Sequence, residues 1–293
     1  MTTDHETIAD EIKARILVEA IPYVRRFAGK VVVCKYGGNA LAGGDEADSL
    51  AGFAEDVVLM RSVGMLPVVV HGGGPQIGEL MKRLGKEPEF RDGQRVTDAE
   101  TLDIARMVLV GKVNRDIVGA LNVHGPVAVG LSGEDAGLIR AEVRDPALGF
   151  VGDVTSVDPA VLHRLLAAGL IPIIATIGSD GAGQAYNINA DAVAGAIAEA
   201  LGSEKLVYLT DVSGIRNDRD DPDSRITRLS ASELDRLIES GTIGGGMIPK
   251  ATACARAVRA GVTSAHILDG RIRHALLLEV FTASGVGTMV VAR

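Results

Sequence analysis

Two hydrophobic rhythms alternate along this chain. Short, predominantly apolar runs without alternation fall at 30–36, 68–71, 127–131, 171–175, 206–210, 264–268 and 287–291. Near-continuous apolarity over four to seven residues, rich in Val and Ile, predicts strands buried on both faces. Between them lie segments whose apolar residues recur every three or four positions, at 5–27, 46–63, 75–84, 98–121, 158–168, 190–201, 230–240, 247–260 and 274–283. That spacing predicts helices with one apolar face. In the first, Ile8, Ile12 and Ile16 recur at i+4 and Leu17, Ile21 and Val24 widen the stripe, while Pro22 is expected to kink or break it. Pro75 sits near the first turn of its helix, and Thr97-Asp98-Ala99-Glu100 reads as the cap that opens 98–121. A hairpin is expected over 140–155, with Gly149 and Gly152 near its turns, and the Asp-rich stretch 217–223 reads as an exposed loop. Strands alternating with helices imply a three-layer α/β/α sandwich around an open, mostly parallel sheet.

Composition narrows the function. The 293 residues are 47% hydrophobic, with no tryptophan, four tyrosines and five phenylalanines, so aliphatic side chains must build the core. So few aromatic rings argue against base-stacking platforms for single-stranded nucleic acid. A net charge of −8 argues against binding to nucleic acid or an anionic membrane, and an anionic substrate would need a locally positive site. Cys34 and Cys254 form no CxxC pair, which fits a reducing, cytoplasmic setting. The first residues are polar and acidic, unlike a signal peptide, and no apolar run is long enough to span a bilayer.

The candidate chemistry lies where strands run out into glycine. The first strand ends in Lys35-Tyr36-Gly37-Gly38-Asn39, the second in His71-Gly72-Gly73-Gly74-Pro75, and Gly244-Gly245-Gly246 precedes Lys250. Glycines let backbone N–H groups approach an anion closely, and lysines supply point charges, so these are elements for phosphate chemistry. The usual phosphate signatures are nevertheless missing. Gly29-Lys30, Gly85-Lys86 and Gly111-Lys112 lack the following Ser or Thr of a P-loop, and Ile77 occupies the third glycine position of a dinucleotide fingerprint. Lys35 alone could be a lysine snorkelling from a strand end, and Gly72–Gly74 alone a tight turn, but a helix N-terminus behind three glycines suits a carboxylate or phosphate. Arg95 is either a solvated side chain or a bidentate carboxylate clamp. Asn187, Asn189 and Asp191 alternate before a helix, either as capping and turn residues or as a site in which Asp191 orients nearby lysines. Thr210 and Asp211 end another strand, as a turn or as part of a nucleotide pocket. His71 reads as a structural turn residue rather than a general base.

Together these segments, in this order, resemble the amino acid kinase family from end to end: KYGGNA, VVVHGGGP, GQRVTD, LVGKVNRDIV, YNINAD, LTDVSG and GGMIPK. The resemblance implies transfer of a phosphoryl group from ATP, with Mg²⁺, to a carboxylate. The Arg95-Val96-Thr97 and Asn187–Asp191 segments favour N-acetyl-L-glutamate as the acceptor over glutamate, aspartate, carbamate or UMP, in arginine biosynthesis. It implies that Lys35 and Lys250 stabilise the transferring group and Asp191 orients them. Gly72, Gly73, Gly74, Arg95, Asn187 and Asn189 would bind the acyl amino acid; Gly37, Gly38, Thr210, Asp211 and Gly246 would bind ATP. The implied organisation is an oligomerisation helix over 1–28, an acyl-amino-acid lobe over 29–190 and an ATP lobe over 191–293. A non-catalytic arginine or nucleotide sensor is the alternative from another class, against which the joint presence of Lys35, Asp191 and Lys250 argues.

A narrower resemblance, to the arginine-inhibited members, rests on the first helix with Tyr23 and on the C-terminal stretch from Ser264 to Thr288. It implies L-arginine bound by Tyr23, Lys205, His266, Glu279, Gly285 and Gly287. It also implies N-terminal helices that interlace dimers into a homohexamer.

Overall fold

The computed structural model describes residues 9–37, 46–91, 93–218, 221, 223–282 and 285–293. Eight strands form one sheet, in the order Arg228–Ser230, Thr288–Val291, Ser264–Asp269, Lys205–Thr210, Val31–Tyr36, Leu66–His71, Ile171–Ala175 and Ala128–Ser132. Every neighbouring pair is parallel except Ser264–Asp269 with Thr288–Val291. The expected open, mostly parallel sheet is therefore present, with the short edge strand Arg228–Ser230 as an addition.

The apolar runs separate into two cores because successive strand side chains point to opposite faces. Val32, Cys34 and Tyr36 join one cluster with Val69, Ile173 and Val207; Val33 joins the other with Val68, Ile174, Leu206 and Tyr208. Helices Glu46–Ser62, Gly74–Arg83 and Ala275–Phe281 close the first core through Phe53, Ile77 and Leu276. Helices Ala160–Ala167, Ala190–Ala200, Ala231–Glu239 and Met247–Arg259 close the second through Leu162, Val193, Leu234 and Val258. Lys35 shares the parity of Val33, which directs it to the second face, beneath the helices that carry Asp191 and Lys250.

The chain order of the strands runs one way from Val31–Tyr36 to Leu66–His71, whereas Lys205–Thr210 pairs on its other side. Such a reversal of strand order leaves a crevice at the carboxyl ends of the strands, the usual ligand position in open α/β sheets.

Several local expectations change. The first helix spans Asp10–Phe27 and continues through Pro22 without a break; residues 5–8 of the expected helix lie outside the described residues. The long helix is capped one residue later than expected, by Asp98, whose Oδ1 accepts from the Thr101 N–H at 2.8 Å. It then widens into a π-helical turn at Met107–Val113 before Asn114–Asn122. The hairpin pairs Ile139–Val143 with Val151–Val157, so Gly149 lies at its turn but Gly152 lies within a strand, opposite Val143. With Ile177–Ser179 and Ala185–Ile188, neither anticipated, it closes a four-stranded barrel. Phe90–Arg91 and Gln94–Arg95 form a further two-stranded ribbon.

A polar tie joins helix Glu46–Ser62 to the start of helix Ala275–Phe281, 218 residues further along the chain. Nδ1 of His274, itself in a left-handed conformation at φ 56°, lies 2.6 Å from Oδ1 of Asp56 on helix Glu46–Ser62. Burial pushes the Asp56 carboxyl up from 3.8 to about 6, against the opposing pull of His274. The folded chain thus holds this proton more tightly than the unfolded chain, and the Asp56 contribution to stability falls as pH rises through that window. Asp56→Asn should therefore gain thermal stability relative to the native chain between pH 4 and pH 7. A difference in melting temperature independent of pH would contradict this assignment.

Candidate active site

The carboxyl end of Val31–Tyr36 places Lys35 under the first turn of helix Ala190–Ala200. There its Nζ lies 2.9 Å from Oδ1 of Asp191, while Nζ of Lys250, from helix Met247–Arg259, lies 3.1 Å from Oδ2. The three side chains are 10%, 7% and 19% exposed. Burial pushes the Asp191 carboxyl up, but the charges of Lys35 and Lys250 outweigh it and hold the group below its ordinary value. One carboxylate shared by two ammonium groups leaves this triad with a formal charge of +1 in a chain of net charge −8. Tyr208, on the strand paired with Val31–Tyr36, donates its buried hydroxyl to the Asp191 carbonyl at 3.0 Å. Strand, helix and carboxylate are thereby locked in register.

A cleft of about 300 Å³ opens in front of the triad, bordered by Lys35, Lys250, Gly37, Arg95 and Asn187. Gly72, Gly73 and Gly74 form one wall. Gly73 is required by close approach, since a Cβ there would lie 2.7 Å from Cδ2 of Leu109 and 3.1 Å from Cγ2 of Val113 on the π-helical turn. Arg95 donates to the Gly74 carbonyl at 2.8 Å, and its guanidinium stands 4.8 Å from the Phe90 ring centroid. Asn189 borders the cleft, yet its Oδ1 accepts from the N–H groups of Asp191 and Ala192 at 2.9 and 3.2 Å. Its side-chain oxygen is therefore a helix cap, which leaves its amide and backbone to the cleft. Asn187 reaches Oγ1 of Thr97 at 3.5 Å, and that hydroxyl donates to the Arg95 carbonyl at 3.0 Å. Fully buried Thr97 thus ties Arg95 to Asn187, a link that GQRVTD offered no means of reading.

Thr210, Asp211 and Lys250 also border a second, adjoining hollow of about 650 Å³, with Gly246 and Arg271 further along it. Thr210 donates to Oδ1 of Asp211 at 3.1 Å, and Gly246 precedes the first turn of helix Met247–Arg259. Gly38, the remaining residue expected here, lies outside the described residues. The arrangement is two openings that meet at a net positive point. Positioned cations between two anion-binding spaces are what phosphoryl transfer requires. Among the described residues, no group of three His, Cys, Asp or Glu side chains could hold a metal ion. No described helix is long and apolar enough to cross a membrane.

The residues of the second candidate site also converge. Nδ1 of His266 lies 2.7 Å from Oε1 of Glu279, and its Nε2 lies 3.1 Å from Nζ of Lys205 and 2.8 Å from Oγ of Ser264. A carboxylate only accepts, so His266 carries its hydrogen on Nδ1. The Val286 N–H donates to Oε2 of Glu279 at 2.9 Å. Gly285, at φ 59°, admits that carboxylate, since a Cβ there would lie 2.6 Å from Oε2. Gly287 packs against the Ile267 carbonyl, and Nζ of Lys205 stands 5.3 Å from the ring centroid of Phe27. Tyr23, one turn before Phe27, is half-buried against the first core.

Residues 30–269 match the sequence model of the amino acid kinase family, and the chain belongs to that family. It is 56% identical over 290 residues to the acetylglutamate kinase of Symbiobacterium thermophilum, covering 95% of this chain and 97% of that one. It is 51% identical over 294 residues to the acetylglutamate kinase of Synechococcus sp. (strain WH7803), covering 100% and 99%. Among solved structures, N-acetylglutamate synthase from Neisseria gonorrhoeae, complexed with coenzyme A and N-acetyl-glutamate, is similar with a TM-score of 0.82 and 29% identity. That match covers 96% of this chain but 63% of the synthase chain. The same synthase complexed with coenzyme A and L-arginine gives a TM-score of 0.80 at 28% identity, covering 96% and 65%.

Tyr208→Phe removes one buried hydrogen bond to the backbone of the Asp191 turn. It should lower stability by about 0.5–1.5 kcal/mol in urea denaturation without loss of fold. An unchanged denaturation midpoint would contradict the clamp.

Proposed function

We propose that this chain transfers the γ-phosphoryl group of ATP to the side-chain carboxylate of N-acetyl-L-glutamate, forming N-acetyl-L-glutamyl 5-phosphate in arginine biosynthesis. The observation that carries this reading is the buried Lys35–Asp191–Lys250 triad, of net charge +1, at the junction of two openings. The names of the similar enzymes support the choice of acceptor.

In this reading a carboxylate oxygen attacks the γ-phosphorus, the bond to the β–γ bridging oxygen breaks, and its electron pair leaves on ADP. A carboxylate carries no proton near pH 7, so no general base is needed. Positioning and charge supply the catalysis. Lys35 and Lys250 neutralise the transferring group, and Asp191 holds both ammonium groups facing it. The N–H groups of the Gly72–Gly74 turn, with Arg95, Asn187 and Asn189, hold the acyl amino acid. Gly37 and Gly38 approach the phosphates; Thr210, Asp211 and Gly246 hold the nucleotide. Mg²⁺ enters on the phosphates of ATP as part of that substrate, a cation that keeps most of its water and needs few protein ligands. Residues 29–190 then serve mainly the acyl amino acid and 191–293 the nucleotide, in a cytoplasmic enzyme.

Feedback inhibition by L-arginine belongs to the same proposal. Glu279 suits a guanidinium; His266 and Gly285 lie against it, Lys205 stands beyond His266, and the helix that carries Tyr23 and Phe27 lies beside Lys205. That helix exposes Ile12, Ile16, Leu17, Val18 and Ile21. An apolar face of this kind favours pairing with a second copy, in a homohexamer built from dimers.

The test is an ATP-dependent assay that traps acyl phosphate with hydroxylamine. It offers N-acetyl-L-glutamate, glutamate, aspartate and carbamate, each with and without millimolar L-arginine. Turnover is expected on N-acetyl-L-glutamate alone and should be suppressed by arginine, with suppression weakened in Glu279→Gln. Lys35→Ala and Lys250→Ala should each lower kcat by about 10²–10³-fold. Turnover on another acid would overturn the substrate, and no turnover on any would overturn phosphoryl transfer in favour of a sensor. Activity and melting temperature indifferent to arginine would overturn the regulation.

A further inference from the structure

His71 closes the strand Leu66–His71 immediately before the glycine turn and is fully buried. Its Nδ1 lies 3.0 Å from the Gly72 carbonyl oxygen, and its Nε2 lies 3.0 Å from Nδ2 of Asn114. A carbonyl only accepts and an amide NH₂ only donates, so the ring carries its hydrogen on Nδ1. Asn114, also fully buried, donates to the Ile173 carbonyl at 2.9 Å and accepts from the Arg115 guanidinium. A chain of polar contacts thus runs from the neighbouring strand Ile171–Ala175, through Asn114 and His71, to a single peptide, Gly72–Gly73.

That peptide has reason to be held. In a planar trans peptide the C=O and N–H point in opposite directions. With the Gly72 carbonyl turned to the buried imidazole, the Gly73 N–H points away from it, on the wall that Gly72–Gly74 present to the cleft. Two adjacent glycines would permit the peptide to flip, because neither side chain restricts φ and ψ. A flip would set a carbonyl oxygen where an anion needs a donor. Leu109 and Val113 of the π-helical turn stand close enough to Gly73 to leave no room for a Cβ there, and Asn114 directly follows that turn. The ring has no charge of its own to offer, since burial pushes its pKa down to about 4.

We propose that His71 and Asn114 are positioning residues for the acyl-amino-acid end of the reaction, fixing the Gly72–Gly73 peptide so that the Gly73 N–H is aimed in advance at a substrate carboxylate. The proposal rests on the reading that the glycine turn holds the acyl amino acid, and it assigns a task to a histidine with no part in proton transfer.

The experiment measures KM for N-acetyl-L-glutamate and for ATP separately, with kcat and melting temperature, in the full-length chain. His71→Phe keeps a ring without a donor; His71→Asn returns an N–H near the position of Nδ1. Loss of one hydrogen-bonded anion contact predicts a rise of about tenfold in the KM for N-acetyl-L-glutamate in His71→Phe. The KM for ATP should stay within about threefold, and His71→Asn should recover most of the loss. Both KM values rising together with the fall in melting temperature, without recovery in His71→Asn, would reduce His71 to a packing role and overturn the proposal. If His71→Phe does not fold, the native chain decides by ¹⁵N NMR. N-acetyl-L-glutamate should shift the Gly73 amide and His71 Nδ1–H signals, and a non-hydrolysable ATP analogue alone should not. The reverse pattern, or no shift with either, would overturn it. Turnover by the native chain reports separately on the proposed reaction, so a failure there is distinguished from a failure of the positioning role.

Discussion

Two ammonium groups held close together repel each other, and the layout of this molecule answers that repulsion with a single buried carboxylate. Asp191 receives Lys35 from the central strand on one oxygen and Lys250 from a helix more than fifty residues later on the other. Removing one partner of a buried charge pair typically costs about 3–5 kcal/mol, so the three side chains stand or fall together. Because two positive charges share one negative charge, the cluster stays attractive to an anion even though the protein as a whole is acidic. Placing that cluster needs a strand end, the first turn of one helix and the first turn of another to meet within hydrogen-bonding distance. The period-two alternation of the strands and the two separate cores enforce this meeting.

The same logic extends outward in both directions. Toward the second hollow, the strand ending at Thr210 continues into Asp211 and borders the space near Gly246. Toward the smaller cleft, the glycine turn packs closely against the π-helical segment and is held by the contact of His71 with the Gly72 carbonyl. Thr97 joins the Arg95 ribbon to the strand that carries Asn187. Backbone amides and cations are thus fixed by buried contacts before any ligand arrives. That preorganisation is the condition under which electrostatic stabilisation of a transition state is most effective.

Much of this was legible in the chain, for reasons that differ by element. Predominantly apolar runs marked seven of the eight sheet strands, because burial on both faces leaves few polar positions in them, and most of those lie at strand ends. Glycine clusters after strands, and the lysines beside two of them, marked the cleft, because only glycine admits the close approach seen at Gly73. Short strands such as Ile177–Ser179 and Ala185–Ile188 left no such trace. They are stabilised by pairing around a small barrel rather than by their own composition, and Gly152 reads as a turn residue until its strand partners are known. Tyr208 looked like one more core residue in an apolar strand; its hydroxyl contact with Asp191 depends on the register between strand and helix. Asn189 carried both of its readings into the structure, as a helix cap and as a residue of the cleft wall. His71 was legible as a structural residue, whereas its link to Asn114 joins positions 43 residues apart and has no local signal.

Kinetics of Asp191→Asn test most directly whether the shared carboxylate organises phosphoryl transfer. The substitution preserves shape but leaves Lys35 and Lys250 without their common counter-charge. A fall in kcat of about a hundredfold or more, at saturating ATP and N-acetyl-L-glutamate and with the folded state retained by circular dichroism, is the expected result. Turnover within threefold of the native chain would contradict it and would leave the two lysines as independent charges rather than parts of one device.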